Sequence, residues 1–167
     1  MKTGRGGFRM LRREQLLQEV VHDTYKLPRK LAEPTRCPDC AAVYRDGRWK
    51  WGREGRGAGP AHETRCPACQ RIRDEFPAGF VSVSGEFFAQ HRDEILALIR
   101  HSEENEKRNH PLERIMKIAD DSGGVLVTTT GVHLARLIGD ALEDAYKGSL
   151  EFHYNKEEQL LRVAWQR

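Results

Sequence analysis

Four cysteines carry the clearest chemistry in this chain. They stand as Cys37-Pro38-Asp39-Cys40 and Cys66-Pro67-Ala68-Cys69, with 25 residues between the pairs. Two residues between cysteines permit a tight turn that aims both sulfurs at one point, and two such knuckles joined by a β-loop complete a tetrahedral tetrathiolate. Thiolates select Zn²⁺ over hard cations, and four protein ligands leave no place for a reactive water. The reading is therefore one structural Zn²⁺ held by Cys37, Cys40, Cys66 and Cys69. An iron–sulfur cluster also takes four thiolates. A thioredoxin-like redox pair needs a Cys-x-x-Cys that opens a helix, whereas both pairs here are followed by basic or loop-like sequence. Disulfides within each pair would be strained. Zinc ribbons often carry glycine after the second cysteine of a knuckle, where φ can be positive; Ala41 and Gln70 stand there instead, so the turn must tolerate a Cβ.

Cations and aromatics surround these ligands. Tyr44, Arg45, Arg48, Trp49, Lys50, Trp51, Arg53 and Arg56 lie between the knuckles, and Arg36, Arg65, Arg71 and Arg73 flank them. Rings and guanidinium planes stack on unpaired bases while the charges meet phosphates, a combination suited to RNA. The competing role for Trp49 and Trp51 is support of a ribbon whose core is small. Upstream, Lys2, Arg5, Arg9, Arg12 and Arg13 sit among three glycines in the first thirteen residues, which predicts a flexible basic arm. The candidate RNA contacts are Arg5, Arg9, Arg12, Arg13, Arg45, Arg48, Trp49, Lys50, Arg53, Arg56, Arg71 and Arg73.

Charge is unevenly distributed over the 167 residues. Up to Arg73 there are 17 Lys and Arg against 8 Asp and Glu, an excess of +9; beyond it there are 11 against 17, an excess of −6. A basic half beside an acidic half implies that one end faces a polyanion. No run of about 18 apolar residues is present to cross a membrane. No apolar stretch follows the basic start as a secretory signal would require, so the expected location is the reducing cytoplasm.

The elements that must position these residues follow from pattern. A short amphipathic helix is predicted over about 10–22 and an extended linker before Pro34. Asp46-Gly47 reads as a turn entering a strand at Arg48–Trp51, and the stretch 52–60 as a loop. Phe80–Ser84 alternates as a strand, and a helix is expected over about 86–107 until His110-Pro111. Strands at 114–118 and 125–129 flank a turn at Asp120–Gly124. A second helix is expected over about 132–146, stopped by Gly148, and a closing hairpin at 149–154 and 160–165.

The chain then divides into a basic arm and linker (1–33), a zinc ribbon (34–77) and an α+β domain (78–167). The domain's order, β-α-β-β-α-β-β, predicts a ferredoxin-like antiparallel sheet with the last strand added at an edge. Thr128-Thr129-Thr130-Gly131 leads into the second helix, where ordinary hydroxyl capping is the expected role and phosphate binding the alternative. His91, His101 and His133 have no nucleophile or base at motif spacing and are expected at the surface or in packing.

The strings Pro34-Thr35-Arg36-Cys37-Pro38-Asp39-Cys40, Gly47-Arg48-Trp49, Cys66-Pro67-Ala68-Cys69-Gln70-Arg71, Pro111-Leu112-Glu113-Arg114-Ile115-Met116 and His133-Leu134-Ala135-Arg136 resemble a bacterial zinc-ribbon family. That family is distantly similar to the large-subunit nuclear-export adaptor named for nonsense-mediated decay. The resemblance implies zinc knuckles and attachment to the large ribosomal subunit, where the basic arm and ribbon are expected to contact rRNA. The expected function is a non-enzymatic, ribosome-associated protein of protection, hibernation or stability type. A DNA-binding or transcription-linked ribbon and an RNA-processing enzyme are the alternatives.

Overall fold

A computed structural model describes residues 23–25, 27, 29–52 and 62–167. The basic arm, the predicted helix over 10–22, Arg53 and Arg56 lie outside the described residues.

The ribbon is a small sheet of four short strands: β1 (Thr35–Arg36), β2 (Ala42–Arg45), β3 (Arg48–Trp51) and β4 (His62–Glu63), in the order β3-β2-β1-β4. The β2–β3 hairpin turns at Asp46-Gly47, and the Glu33 carboxylate accepts both turn amides at 3.0 Å. Ala41 does adopt positive φ, +63°, on leaving the first knuckle. Gln70 does not, because the second knuckle runs into a helix, α1 (Pro67–Arg73). Cys66 is its N-cap, and Pro67 at the first position supplies a φ already suited to a helix. The expected loop after Cys69 is thus corrected: this pair opens a helix, as a redox pair would, but its sulfurs face the first knuckle.

The second unit is an α+β layer. Its elements are β5 (Gly79–Ser84), α2 (Glu86–Gln90), α3 (Arg92–Asn109), β6 (Ile115–Asp121), β7 (Gly124–Thr129), α4 (Val132–Tyr146), β8 (Ser149–Asn155) and β9 (Leu160–Gln166). The single helix expected over 86–107 is broken at His91, whose φ of −120° and ψ of 25° are not helical. Alternate residues of β5, Val81 and Val83, point into the core with Val125, Val127, Val163 and Trp165, where they meet Ile95 and Ile99 of α3 and Leu134, Ile138 and Leu142 of α4. Period-2 strands and a period-3.6 helix therefore share one apolar layer.

Strand order departs from the expectation. The sheet runs β6-β7-β5-β9-β8, so the last strand does not add an edge; it inserts beside β5 and leaves β8 at the edge. β9 consequently pairs parallel to β5, from Gly79 opposite Leu161 to Ser84 opposite Gln166, in a sheet otherwise antiparallel. Burial favours this order: β9 presents Leu161, Val163 and Trp165 to the core, whereas most of β8 is exposed. Arg167 is held there too, its carbonyl accepting from the Phe87 amide at 2.8 Å. Gly85 at φ +109° lies so close to the Arg167 backbone that a Cβ would meet its carbonyl oxygen at 2.2 Å. No helix among the described residues is long and apolar enough to cross a membrane.

Candidate metal centre

The two knuckles converge. Sγ atoms of Cys37, Cys40, Cys66 and Cys69 all lie within 4.8 Å of one another. Cys40 Sγ and Cys66 Sγ, from different knuckles, are 3.7 Å apart. Tetrahedral zinc at about 2.3 Å from each sulfur requires sulfur pairs about 3.8 Å apart. The cysteines are free rather than disulfide-bonded, and three of the four are buried. The donor set fits one metal ion of thiolate preference, held by all four residues.

The knuckle backbone prepares the sulfurs as acceptors. The Cys66 amide donates to Cys37 Sγ at 3.3 Å, and the Cys69 amide donates to Cys66 Sγ at 3.5 Å. Arg65 pairs with Asp39 across the two knuckles and holds the Asp39 carboxyl below its ordinary range. Trp49 is half-buried against the cysteine cluster and meets Tyr44 edge to face at 5.7 Å.

A residue outside the ribbon completes the site. Arg114, from the segment that leads into β6, is buried with its guanidinium against the sulfurs. Its Nη2 donates to Cys40 Sγ at 3.1 Å, its Nη1 to Cys69 Sγ at 3.2 Å, and its Nε to the Pro111 carbonyl at 2.6 Å. Burial opposes ionisation of Cys40, yet the Ala42 amide and the Arg114 guanidinium bring its thiol down to about 7. Burial prevails at Cys69, pushed up to about 11, and at Cys66, pushed higher still. A second-sphere cation of this kind offsets the negative charge of a tetrathiolate in a low-dielectric site. No spacing rule pointed to Arg114, which follows Cys69 by 45 residues. The sequence signals are a cation at the head of an apolar strand and its place in the Pro111–Met116 string that carries the family resemblance.

The candidate RNA contacts separate. Arg45, Arg48 and Arg73 are exposed, and the first two form no salt bridge among the described residues. Lys50 is partly engaged, its Nζ 2.8 Å from Asp46. Arg71 is corrected: it is buried, donates to Asp23 Oδ1 at 2.8 Å and to the Phe76 carbonyl at 3.1 Å, and lies over the Tyr25 ring. It fastens the linker to the ribbon and is not a free phosphate ligand. Trp51 is 40% exposed, and its indole donates to the Lys107 carbonyl at 2.6 Å, docking the hairpin on α3.

Thr130 is corrected as well. It does not cap α4; its hydroxyl donates to the Leu112 carbonyl and accepts from the Arg114 amide, so it secures the segment that carries Arg114. The α4 cap is supplied by Glu113, whose Oε2 accepts from the Leu134 amide at 2.9 Å. Gly131 makes room for that carboxylate, since a Cβ there would lie 2.2 Å from Oε2. His91 stacks on Phe87 and His101 meets Asn105. His133 instead lines a groove between the ribbon and the α+β unit, together with His110, Glu113 and Glu106, whose expected place on a solvated charged face is corrected, since its side chain is largely buried.

No family model matches this chain, and neither a curated protein nor a solved structure matches it.

Proposed function

We propose that the chain is a non-enzymatic, zinc-stabilised protein of the cytoplasm that binds rRNA of the large ribosomal subunit. The observation that carries this reading is the β2–β3 hairpin, built on the cysteine cluster, which projects Arg45 and Arg48 into solvent without salt-bridge partners among the described residues. Four thiolates close the metal's coordination shell, and Arg114 covers it from the α+β side, so zinc here stabilises and does not activate water. Exposed guanidinium groups on the hairpin match a phosphate backbone, and the Arg and Lys residues of the first thirteen positions add charge of the same sign. α1, with seven residues and several of them buried, offers no free recognition helix for a DNA groove. The resemblance to the ribosomal export adaptor's relatives supports the large subunit as the partner. Protection, hibernation or stability of the ribosome, and hence translation regulation, is the role consistent with such a non-catalytic protein.

Sucrose-gradient fractionation of cell extract tests this reading. The protein is expected to co-sediment with large subunits at low salt and to leave them as salt rises, without turnover of RNA or nucleotide. Its remaining at the top of the gradient at every salt concentration would refute ribosome attachment.

A further inference from the structure

Helices α3 and α4 pack on one face of the five-stranded sheet, where Val81, Val127 and Val163 meet Ile99 and Ile138. Alternate strand residues therefore point to the opposite face. Strand register lines five of them up in a single row: Lys117 of β6, Thr128 of β7, Phe80 of β5, Arg162 of β9 and His153 of β8. Neighbouring strands lie about 4.8 Å apart, so the row spans about 19 Å. Lys117, Arg162 and His153 are exposed, and Phe80 is half-buried. The Arg162 guanidinium lies over the Phe80 ring, 4.6 Å from its centroid. The next row, Ala119, Leu126, Ser82 and Ala164, is small or apolar and meets a carboxylate only at Glu151 on the β8 edge. A trough of about 410 Å³ runs over Phe80, Leu126 and Arg162.

Charge on this face runs against its surroundings. Beyond Arg73 the chain has 11 Lys and Arg against 17 Asp and Glu. The row through Phe80 nevertheless holds two cations and an imidazole and no carboxylate. Neither Lys117 nor Arg162 forms a salt bridge among the described residues. We infer that this uncovered sheet face is a second RNA surface, which takes a short run of unpaired nucleotides. The inference rests on the RNA-binding reading above and adds to it a surface that the hairpin does not supply. Bases stack on aromatic rings and on guanidinium planes, and a sheet face can take two or three of them side by side. Phe80 with Arg162, and His153 beside them, provide such planes, while Lys117 at the far end of the row meets a phosphate. Stacking of this kind asks for an unpaired base of any identity, because every base has a π-face. Duplex RNA keeps its bases stacked inside and cannot use the row.

The test uses the full-length, zinc-loaded protein and two RNAs, single-stranded decauridylate and a ten-base-pair duplex. Amide shifts mapped by NMR on the wild-type chain are expected to move at Phe80, Thr128, Arg162 and His153 with decauridylate and to stay in place there with duplex. Phe80→Leu keeps an apolar side chain on β5 but removes the ring. It is expected to weaken decauridylate binding about tenfold and to leave duplex affinity within about twofold. The NMR map needs no variant, so misfolding of Phe80→Leu would not protect the inference. Decauridylate shifts confined to Arg45, Arg48 and their neighbours overturn the sheet surface and leave RNA binding by the hairpin standing. Undiminished affinity in folded Phe80→Leu overturns the stacking role. A dimer in RNA-free solution whose formation shifts the same four amides assigns the face to a second copy instead. Failure of both RNAs to bind refutes the sheet surface and the RNA-binding reading together.

Discussion

The Arg114 guanidinium donates to Cys40 Sγ at 3.1 Å, although the two residues belong to different units of the fold and are 74 positions apart. The same group reaches Cys69 Sγ at 3.2 Å, so one buried cation bridges both knuckles. The α+β unit thereby forms part of the metal centre, and the ribbon is not an independent appendage.

Arg114→Lys tests this bridge. A lysine keeps the charge but loses the fork that spans two sulfurs. Zinc affinity is expected to fall about 10- to 100-fold, the usual consequence of removing an outer-shell partner. Competition with a chromophoric chelator measures it. An unchanged affinity would show that the guanidinium is only a spacer between the two units.

Metal content is the second test. Purified, freshly reduced protein is expected to carry about one zinc per chain, and Cys37→Ser to lose nearly all of it. The α+β unit has its own core around Val81, Ile99 and Leu142, so its unfolding transition should survive in the variant with a lowered midpoint. Elemental analysis showing iron in place of zinc would discard the tetrathiolate zinc assignment.

The exposed guanidinium groups of the hairpin make a salt-dependent claim. Arg45→Gln with Arg48→Gln removes two expected phosphate contacts. The slope of log K against log salt for single-stranded RNA should flatten by about 1.4, at about 0.7 per contact. If the slope is unaltered, these side chains are solvated and take no part in binding. Lys50 is expected to contribute less, because Asp46 already holds its ammonium group.

Glu113 supplies a pH test. Burial raises its carboxyl above the ordinary range, against the pull of the Leu134 amide and of His133. A group whose folded pKa is raised favours folding fully below its unfolded value of about 4.3, and that contribution is lost as pH rises through the folded value. At neutral pH the buried charge therefore costs stability. Glu113→Gln keeps an oxygen for the Leu134 amide and should melt at or above the wild-type temperature at pH 7. Its advantage should vanish as pH falls below about 4. A Gln variant that loses more stability at pH 7 than at pH 4 would show that the charge itself, acting on the α4 N-terminus, is favourable.

Local rules made several features legible. Ligand spacing within each knuckle is a matter of two residues, so Cys37, Cys40, Cys66 and Cys69 could be assigned as one centre from the sequence. The helix at Val132–Tyr146 and the hairpins at 115–129 and 149–166 were readable because apolar period and turn residues are encoded over short stretches. Long-range choices were not. Insertion of β9 beside β5 depends on which hairpin strand has more apolar surface to bury, and period-2 alternation alone does not rank two strands of one hairpin. Arg71 and Arg114 look like any other basic residues until folding surrounds one with Asp23 and Tyr25 and the other with sulfurs. Glu106, His110, Glu113 and His133 follow no motif, because they meet only where the ribbon packs on α3 and α4. Composition set the types of chemistry available to this chain; tertiary packing decided which charges were desolvated, and so which could hold a metal centre together or line a groove.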